Sequence, residues 1–389
     1  MDNEYKNNFN KIHYDRINLT VPKGAKAELK TFAVAKGMSV NEYIWNVIQK
    51  NMHTNERLNT FDISSRRYVG SKRSLLPFIK SALKGIRFSS FADLFAGTGV
   101  VADSFNNRKR IVTNDILYSN YICHYAWFGE KEYDEKKVRD ILLQYNSLIV
   151  SEENYATEHY ADRYFSHENA AKIGYVRADI ERLKVAGTVN KREYAMLLMS
   201  LLYAVQRADI SRTIGHFMTY LKHPKKDGQL QLRLPLVPSA DTNRGNRCYN
   251  RDALDLIKIL PPVDVLYLDP PYQRQYGEYY HVLESIALWN QEPTFGTTKR
   301  IATPKSPFSA KATATEAFAE LIRLCQNKGK YILVSYNNDP RNNIQSIDVM
   351  SILSQAGKTR VYTVDYPAFH GSKQVADNKE RLFFCKIRD

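Results

Sequence analysis

Residues 91–102 read FADLFAGTGVVA, an apolar strand that runs into a glycine turn and then into a helix. Gly97 and Gly99 let the backbone approach a ligand closely because they carry no Cβ atom. Asp115 ends the next apolar strand, where a carboxylate can accept hydrogen bonds from ribose hydroxyls. Gly97-x-Gly99-x-x-Ala102 also fits a loose dinucleotide fingerprint. A dehydrogenase and a methyltransferase would both use such a loop, and a tight structural turn is the alternative.

Strands and helices alternate from about residue 67 onward, which indicates an α/β domain with a mainly parallel sheet. The clearest strand candidates are Phe91–Phe95, Arg110–Asn114, Asp264–Leu268 and Tyr331–Ser335. Two later candidates, Arg360–Val364 and Arg381–Ile387, are close in the chain and are expected to form a terminal antiparallel pair. Helical patterns dominate residues 118–252, a stretch too long for a loop, which predicts an inserted domain with helices over Asn169–Val185 and Lys191–Arg207.

Residues 16–52 read as a compact N-terminal unit. Polar and apolar residues alternate from Arg16 to Val21, the period of a half-buried strand. Two short helices are predicted after it, over Lys23–Lys36 and Val40–Met52, and Ser39 with Glu42 makes a capping box for the second. Such a small unit cannot bury its apolar face alone, so a partner chain is expected. It resembles a ribbon-helix-helix DNA-binding module, in which strands of two chains pair in the major groove. The alternative is a strand and hairpin packed on the main domain.

Charge and hydropathy limit the classes of partner. The 389-residue chain carries 56 Lys and Arg against 41 Asp and Glu, a formal net charge of +15. This charge predicts a polyanionic partner, and nucleic acid is favoured over a membrane because no basic amphipathic helix stands out. Since no apolar run approaches the roughly 20 residues that span a bilayer, and the polar start lacks a signal peptide's apolar centre, a cytoplasmic protein is expected. Four scattered cysteines favour neither a disulfide framework nor a metal site.

The most informative stretch is VLYLDPPY, residues 265–272. Its apolar strand delivers Asp269, two prolines and Tyr272 to the carboxyl edge of the sheet, where ligands bind in such folds. An adenine amino nitrogen is a poor nucleophile because its lone pair is delocalised into the ring. Two acceptors that take both amino hydrogens, the Asp269 carboxylate and the Pro270 carbonyl, would stabilise the positive charge that develops on it. Tyr272 can stack on a base that has left the duplex. A proline turn with a capping aspartate is the alternative.

With these residues, the chain from about residue 66 to the end resembles the DNA adenine-N6 methyltransferases of the Dam-like class, whose motifs come in the order cofactor, target recognition, catalysis. Residues 67–73, RYVGSKR, resemble the opening motif of that family. The resemblance implies a Rossmann-like sheet that binds S-adenosylmethionine and needs no metal. The residues implied to contact the cofactor are Tyr68, Lys72, Phe95, Gly97, Gly99, Asp115, Asp252 and Asp269. Those implied to act in catalysis are Asp269, Pro270 and Tyr272.

The resemblance also implies a division of the chain into four parts. Residues 67–125 and 249–389 would form the catalytic domain and residues 126–248 the target-recognition domain. Residues 53–66 would be a linker, and residues 1–52 the ribbon-helix-helix-like module. Double-stranded DNA is the expected partner, with a homodimer through the module and a cognate restriction enzyme as further candidates. The expected DNA contacts are Arg16, Asn18, Thr20, Lys222, Lys225, Lys226, Arg233, Arg244 and Arg247.

The sequence thus predicts transfer of a methyl group from S-adenosylmethionine to N6 of a flipped adenine in double-stranded DNA. Three alternatives stay open. A nicotinamide-dependent oxidoreductase would explain only the glycine loop and Asp115. A DNA-binding regulator of the ribbon-helix-helix type, with a non-catalytic body, would explain the N-terminal unit and the charge but not residues 269–272. An RNA-directed methyltransferase would use the same chemistry on another substrate.

Overall fold

The computed structural model describes residues 19–21, 23–35, 37–45, 58–107, 109–209, 217, 228–272, 276–365, 368–370, 373–375 and 379–388. The chain divides into two compact units, Met1–Arg57 and Leu58–Asp389. Across the segments just given, no helix is both long and apolar enough to cross a bilayer. All four cysteines are free thiols.

The described part of the first unit contains two helical segments, Ala25–Ala35 and residues 40–45. Gly37 lies between them with a φ of +68°, a left-handed conformation that glycine adopts without strain. The predicted capping box is formed, because Ser39 Oγ accepts from the Glu42 amide at 3.2 Å and Glu42 Oε2 accepts from the Ser39 amide at 3.4 Å. Both predicted helices are therefore confirmed as far as the described residues extend.

The strand predicted at the start of this unit is only partly described. Arg16 and Asn18 lie outside the described residues, and residues 19–21 have no regular secondary structure. The unit also exposes large apolar side chains: Leu19, Phe32, Val34 and Trp45 are all more than half exposed. Within a single chain, the apolar surface of this small unit is therefore not fully covered.

The second unit is built on one seven-stranded sheet. Its strands are β2 (Ser90–Asp93), β3 (Arg110–Asn114), β5 (Arg247–Tyr249), β6 (Val265–Leu268), β7 (Tyr331–Asn337), β8 (Gly357–Asp365) and β11 (Lys379–Ile387). They lie in the order β5-β3-β2-β6-β7-β11-β8. The first five in this order pair in parallel, and β11 runs antiparallel to both β7 and β8. The predicted α/β fold with a mainly parallel sheet is confirmed, and so is the late antiparallel pair.

Two short pairs complete the described strands. The segments β1 (Thr60–Phe61) and β4 (Leu234–Pro235) pair in parallel, and β9 (Ala368–His370) pairs with β10 (Lys373–Val375) antiparallel. The α-helices of the second unit are Leu76–Ala82, Val100–Asp103, Tyr118–Phe128, Glu135–Ser147, Tyr155–Tyr160, His167–Val185, Lys191–Ala208, Ala253–Ile259, Tyr276–Tyr279, His281–Leu288, Ala314–Cys325 and Ser346–Ala356. Short 3₁₀ turns lie at Ile63–Ser65, Arg73–Leu75 and Pro307–Ser309.

Helices cover both faces of the sheet. Successive strand residues point to opposite sides and therefore pack against different helices. Phe91 of β2 packs into one apolar cluster and Ala92, its neighbour, into the other. The first cluster includes the faces of the helices Tyr118–Phe128 and Lys191–Ala208, and the second includes Ala314–Cys325. Strands buried on both faces are typical of parallel sheets, which explains the continuous apolar runs in the sequence.

The segment predicted as an inserted domain, residues 126–248, lies within the second compact unit. Its helices pack into the first apolar cluster with the sheet, and Lys191–Ala208 is buried along most of its length. The caps are local: Asn190 and Glu193 form a capping box at the start of that helix. The sheet also reaches into the segment, because β5 begins at Arg247 rather than after residue 248. A separate recognition domain stays a prediction.

Candidate active site

The carboxyl ends of β2, β3 and β6 meet at one edge of the sheet. The chain continues from β2 to β3 on one side and returns to β6 on the other side of β2, so the strand order reverses between β2 and β6. Crevices at such a switch point are where open α/β sheets bind ligands. Three carboxylates lie at these strand ends: Asp93 in β2, Asp115 after β3 and Asp269 after β6.

The glycine loop follows β2 and leads into the helix Val100–Asp103. Gly97 and Gly99 have φ values of +51° and +82°, which other residues adopt only at a steric cost. A Cβ atom on Gly97 would lie 3.2 Å from the Tyr68 ring, and one on Gly99 would lie 2.8 Å from Ile63 Cδ1. The imidazole of His124 contacts the Gly97 carbonyl, with Nε2 at 2.9 Å. Close packing on both sides therefore requires glycine at both positions.

Asp115 holds this loop in place. One carboxylate oxygen accepts from the Gly97 amide and the other from the Leu117 amide, each at 2.9 Å. The side chain is buried, and burial raises the pKa of its carboxyl to about 7, although these hydrogen bonds oppose the rise. These bonds tie the Asp115 carboxyl to the glycine loop and to the residue before the helix Tyr118–Phe128.

The opening motif packs directly on the loop. The Tyr68 ring stacks on Tyr280 with ring centroids 4.5 Å apart and an interplanar angle of 6°. The Tyr280 hydroxyl accepts from the Val69 amide at 3.0 Å, and Asn120 donates to the Tyr68 hydroxyl at 3.3 Å. These contacts fix the aromatic ring of Tyr68 against Gly97, where the sequence places a cofactor contact.

Asp269 lies in a buried cluster of charged and polar side chains. The Lys72 ammonium lies 2.9 Å from Asp269 Oδ2, and the Tyr272 hydroxyl donates to Asp269 Oδ1 at 2.9 Å. Lys72 also lies over the Tyr272 ring, 5.0 Å from its centroid. Burial raises the pKa of the Asp269 carboxyl, and the neighbouring Lys72 opposes that rise. Lys72, expected at the methionine carboxylate, thus contacts the predicted catalytic carboxylate in this structure.

Glu380, which the motifs of the sequence did not reveal, completes this cluster. It is 3% exposed, and its Oε1 atom lies 2.9 Å from the Tyr272 hydroxyl and 3.8 Å from Lys72 Nζ. Ser335 of β7 donates to the same oxygen at 2.7 Å. The signal that could have revealed it is a glutamate two residues before the buried Leu382, on the same face of the strand.

Asp93 is a second buried carboxylate that no sequence motif singles out. It is 1% exposed and accepts from the Phe95 amide at 3.3 Å. Burial, with the charge of Asp269 nearby, raises the pKa of the Asp93 carboxyl well above its usual range. The edge of the sheet therefore concentrates carboxyl groups. Such a cluster of acceptors suits a positively charged ligand.

Comparison with known families identifies the chain. A family model described as D12 class N6 adenine-specific DNA methyltransferase matches residues 68–347, which include the opening motif, the glycine loop and Asp269. The chain belongs to this family. The predicted recognition of an adenine-N6 methyltransferase family is thereby confirmed, while Glu380 lies beyond the matched residues.

Several modification enzymes are similar to this D12-class chain. Modification methylase LlaI of Lactococcus lactis subsp. lactis is 33% identical over 70% of this chain and 46% of its own length. Type II methyltransferase M.FokI of Planomicrobium okeanokoites is 32% identical over 83% of this chain and 53% of its own. Type II methyltransferase M.NlaIII of Neisseria lactamica is 32% identical over 79% of this chain and 93% of its own.

The chain thus spans about half the length of the first two relatives and nearly all of the third. Among solved structures, precorrin-6y C5,15-methyltransferase from Geobacter metallireducens GS-15 aligns over 85% of this chain and 95% of that chain. The TM-score of this alignment is 0.28, and the sequence identity is 8%.

The other residues matched to cofactor or catalysis lie at the same edge of the D12-class sheet. Asp252 follows β5 and accepts from the Leu254 amide at 2.8 Å, so it caps the helix Ala253–Ile259, and burial raises the pKa of its carboxyl. The Phe95 ring packs edge-on against Phe308, with centroids 5.0 Å apart. Pro270 is buried beside Asp269. In the part of the chain that is described, no His, Cys, Asp and Glu cluster could hold a metal ion.

Of the expected DNA contacts that the structure describes, Arg244 and Arg247 do not lie at this edge. Arg247 begins β5, so it and Arg244 lie near the amino edge, where Arg247 pairs with Glu130 at 2.8 Å and Arg244 with Asp241 at 2.6 Å. The guanidinium of Arg233 is half-buried, 5.0 Å above the Phe61 ring. Thr20 is exposed in the first unit. The remaining candidates, Arg16, Asn18, Lys222, Lys225 and Lys226, lie outside the described residues.

Proposed function

We propose that this chain transfers a methyl group from S-adenosylmethionine to N6 of a flipped-out adenine in double-stranded DNA. Membership in the D12 class supports the reaction class. The observation that carries the proposal is the position of Asp269, a carboxylate that is 17% exposed at the carboxyl end of β6 and next to the glycine loop after β2. A nicotinamide-dependent oxidoreductase would leave Asp269, Pro270 and Tyr272 without a role.

The loop and its neighbours fit the cofactor. Gly97 and Gly99 provide a close-packed turn, Tyr68 provides an aromatic face against it, and the Asp115 carboxylate holds the turn through the Gly97 amide. Phe95 and Asp252 would complete the site, while Lys72, expected from the sequence at the methionine carboxylate, is assigned here to Asp269, which it contacts at 2.9 Å. When bound, the cofactor supplies a methyl carbon that adenine N6 attacks with its lone pair, while the carbon–sulfur pair leaves with sulfur. The product is a neutral thioether and a positively charged nitrogen that loses one proton.

Asp269 and Pro270 act on the amino group in this proposal. The Asp269 carboxylate and the Pro270 carbonyl each accept one amino hydrogen, which directs the nitrogen lone pair towards the methyl group and stabilises the developing positive charge. Tyr272 stacks on the flipped base, which costs about a few kcal/mol to remove from the duplex. The proton then leaves to solvent or to Asp269. No metal takes part.

We further propose that two segments bind DNA, the N-terminal residues 1–52 and the inserted residues 126–248. The exposed apolar side chains Leu19, Phe32, Val34 and Trp45 support the pairing of residues 1–52 with a second chain in a ribbon-helix-helix-like module. Residues 126–248, inserted between the halves of the catalytic domain, are the candidates for target recognition. Residues 53–66, expected to be a linker, connect the two units, but from Leu58 onward they belong to the second unit. The proposal also includes a cognate restriction enzyme as a partner and a location in the cytoplasm.

Two other functions are also compatible with the net charge of +15 and with the first unit. One is an RNA-directed methyltransferase, and the other is a DNA-binding regulator whose methyltransferase domain is not catalytic. One assay separates these functions. The purified protein is incubated with labelled S-adenosylmethionine and either duplex DNA or RNA, and the modified base is then identified by mass spectrometry. We expect N6-methyladenine in DNA. Label in RNA alone, or no label in any nucleic acid, would reject the proposed function.

A further inference from the structure

Glu380 is a buried carboxylate that the proposed reaction does not use. It lies in β11, whose pairing with β7 places Glu380 opposite Asn337, near the carboxyl end of β7. Three groups lie around its Oε1 atom: the Ser335 hydroxyl, which donates at 2.7 Å, the Tyr272 hydroxyl at 2.9 Å, which has one hydrogen for Glu380 and Asp269 together, and the Lys72 ammonium at 3.8 Å. Two of these three groups also contact Asp269.

One potential donor lies beside each oxygen of Asp269. Lys72 contacts Oδ2 at 2.9 Å and the Tyr272 hydroxyl donates to Oδ1 at 2.9 Å. Each oxygen keeps a further lone pair, but a donor that moves away from Asp269 leaves more of its negative charge to the incoming amino group. Lys72 and Glu380 are only 8% and 3% exposed, so an ammonium that left Asp269 without another carboxylate would be buried and unpaired, which is strongly unfavourable.

We propose that Glu380 is a positioning residue that takes over Lys72 and the Tyr272 hydroxyl when the adenine amino group docks on Asp269. A displacement of about 1 Å would bring the ammonium from its 3.8 Å separation to direct contact with Glu380. The tyrosine hydroxyl has one hydrogen and two carboxylates at equal distance, so it can change acceptor by rotation. The buried charges stay paired throughout, and Asp269 stays ionised to accept. This inference rests on the proposed function.

The test uses Glu380→Gln in the full chain. The variant keeps an acceptor oxygen for Ser335 and Tyr272 but removes the charge that receives Lys72. At saturating S-adenosylmethionine and DNA, single-turnover transfer should slow about ten- to a hundredfold, the range of a charged hydrogen bond, while calorimetric binding of S-adenosylmethionine stays unchanged. Glu316→Gln, at an exposed glutamate of the helix Ala314–Cys325, is the matched control and should transfer at the wild-type rate.

A second comparison separates exchange from a merely structural role. Lys72→Met leaves two buried carboxylates without their ammonium, so Asp269 is pushed towards its neutral form and transfer falls. If Glu380 serves to receive Lys72, Lys72→Met/Glu380→Gln should transfer at least as fast as Lys72→Met. In the double variant the Asp269 carboxylate no longer has the negative charge of Glu380 beside it. This pair also carries the test if Glu380→Gln alone does not fold, because the double variant removes both opposite charges.

Two results would overturn the inference while the proposed function stands: Glu380→Gln with wild-type transfer, or the double variant transferring more slowly than Lys72→Met. A wild-type protein that labels no adenine at all would reject the proposed function and this inference with it. The wild-type arm therefore distinguishes the two failures.

Discussion

Two opposing influences act on the charge of the Asp269 carboxyl. Burial raises its pKa, and Lys72, 2.9 Å away, favours the ionised form that must accept from an amino group. An acceptor aimed at a developing charge is among the largest contributions that a protein side chain makes to catalysis. The side chain of Asp269 is consequently the most direct place to test the proposed chemistry.

Asp269→Ala should lower the single-turnover rate of methyl transfer by about a hundred- to a thousandfold, equivalent to about 2.7–4 kcal/mol of barrier. Binding of S-adenosylmethionine, measured by calorimetry, should be largely retained, because the acceptor that is removed acts on the base. Asp255→Ala is the control, since Asp255 is an exposed carboxylate that pairs with Lys258 on the surface. Transfer near the wild-type rate in Asp269→Ala would remove this residue from the catalytic role.

Asp115 gives a pH-dependent prediction. Its pKa is raised by burial from 3.8 to about 7, so between these values the folded state holds a proton that the unfolded state has released. Stability must then fall as pH rises from about 4 to about 7, by up to about 4 kcal/mol for this group. Urea unfolding of the wild type and Asp115→Asn across that range measures it. The wild-type slope should be the steeper, and parallel slopes would contradict the assignment.

At the scale of elements, the glycine loop between β2 and the helix Val100–Asp103 is the tightest part of the site. Gly99→Ala places a Cβ atom at a φ of +82° and 2.8 Å from Ile63 Cδ1. Gly85→Ala is a matched control, because Gly85 has a φ of +81° with nothing within 4 Å of its Cβ position. Both should lose about 1–2 kcal/mol for the left-handed backbone, and Gly99→Ala about 1–3 kcal/mol more for crowding.

Denaturant unfolding measures both glycine variants, and calorimetry with S-adenosylmethionine adds a second readout. Only Gly99→Ala should weaken the cofactor, because Gly85 lies outside the loop. Equal losses of stability in the two variants would mean that the loop yields without cost. Weaker cofactor binding in Gly85→Ala would show that the effect is not specific to the loop.

The strands that were most predictable contain continuous apolar runs, as in Val265–Leu268 and the first four residues of Tyr331–Asn337. Parallel sheets bury both faces of such strands, so local composition identifies them. β5 was missed because none of its three residues, Arg247–Tyr249, is buried. A short edge strand of this kind has no apolar run that would identify it in the sequence. The insertion of β11 between β7 and β8 was also missed, because strand pairing depends on residues far apart in the chain.

The candidate site divides in the same way. The glycines and Asp269 are recognisable because turn geometry and substrate chemistry require those residue types at those positions. The pairing of Lys72 with Asp269 and Glu380 joins residues about two hundred and three hundred positions apart, and nothing local in the sequence records it. For Arg233, the charge alone predicted a DNA contact, and the packing of its guanidinium on the Phe61 ring was not foreseen.

At the scale of the whole molecule, the chain separates into Met1–Arg57 and the sheet-containing unit. Deletion of residues 1–52 should leave methyl transfer intact, because every residue proposed for cofactor or catalysis lies in the second unit. The truncated chain should be a monomer that binds DNA more weakly, and the dependence of log affinity on log salt should be shallower by about 0.9 for each phosphate that the module neutralises. Light scattering and binding titrations at several salt concentrations measure this. A full-length protein that is monomeric with and without DNA would contradict the paired module.

The adjacency of β2 and β6 joins two halves of the chain, since Phe91 pairs with Val265 although 174 positions separate them. Between these halves, Gly187 lies in an exposed turn with open space around it, after the helix His167–Val185. A chain cut at this turn gives one fragment with the glycine loop and Lys72, and a second with Asp269 and Glu380. Each fragment alone should be inert, and co-expression should restore DNA methylation through fragment complementation. Fused to two interacting proteins, the halves would form a reporter that writes each encounter into DNA as a lasting mark.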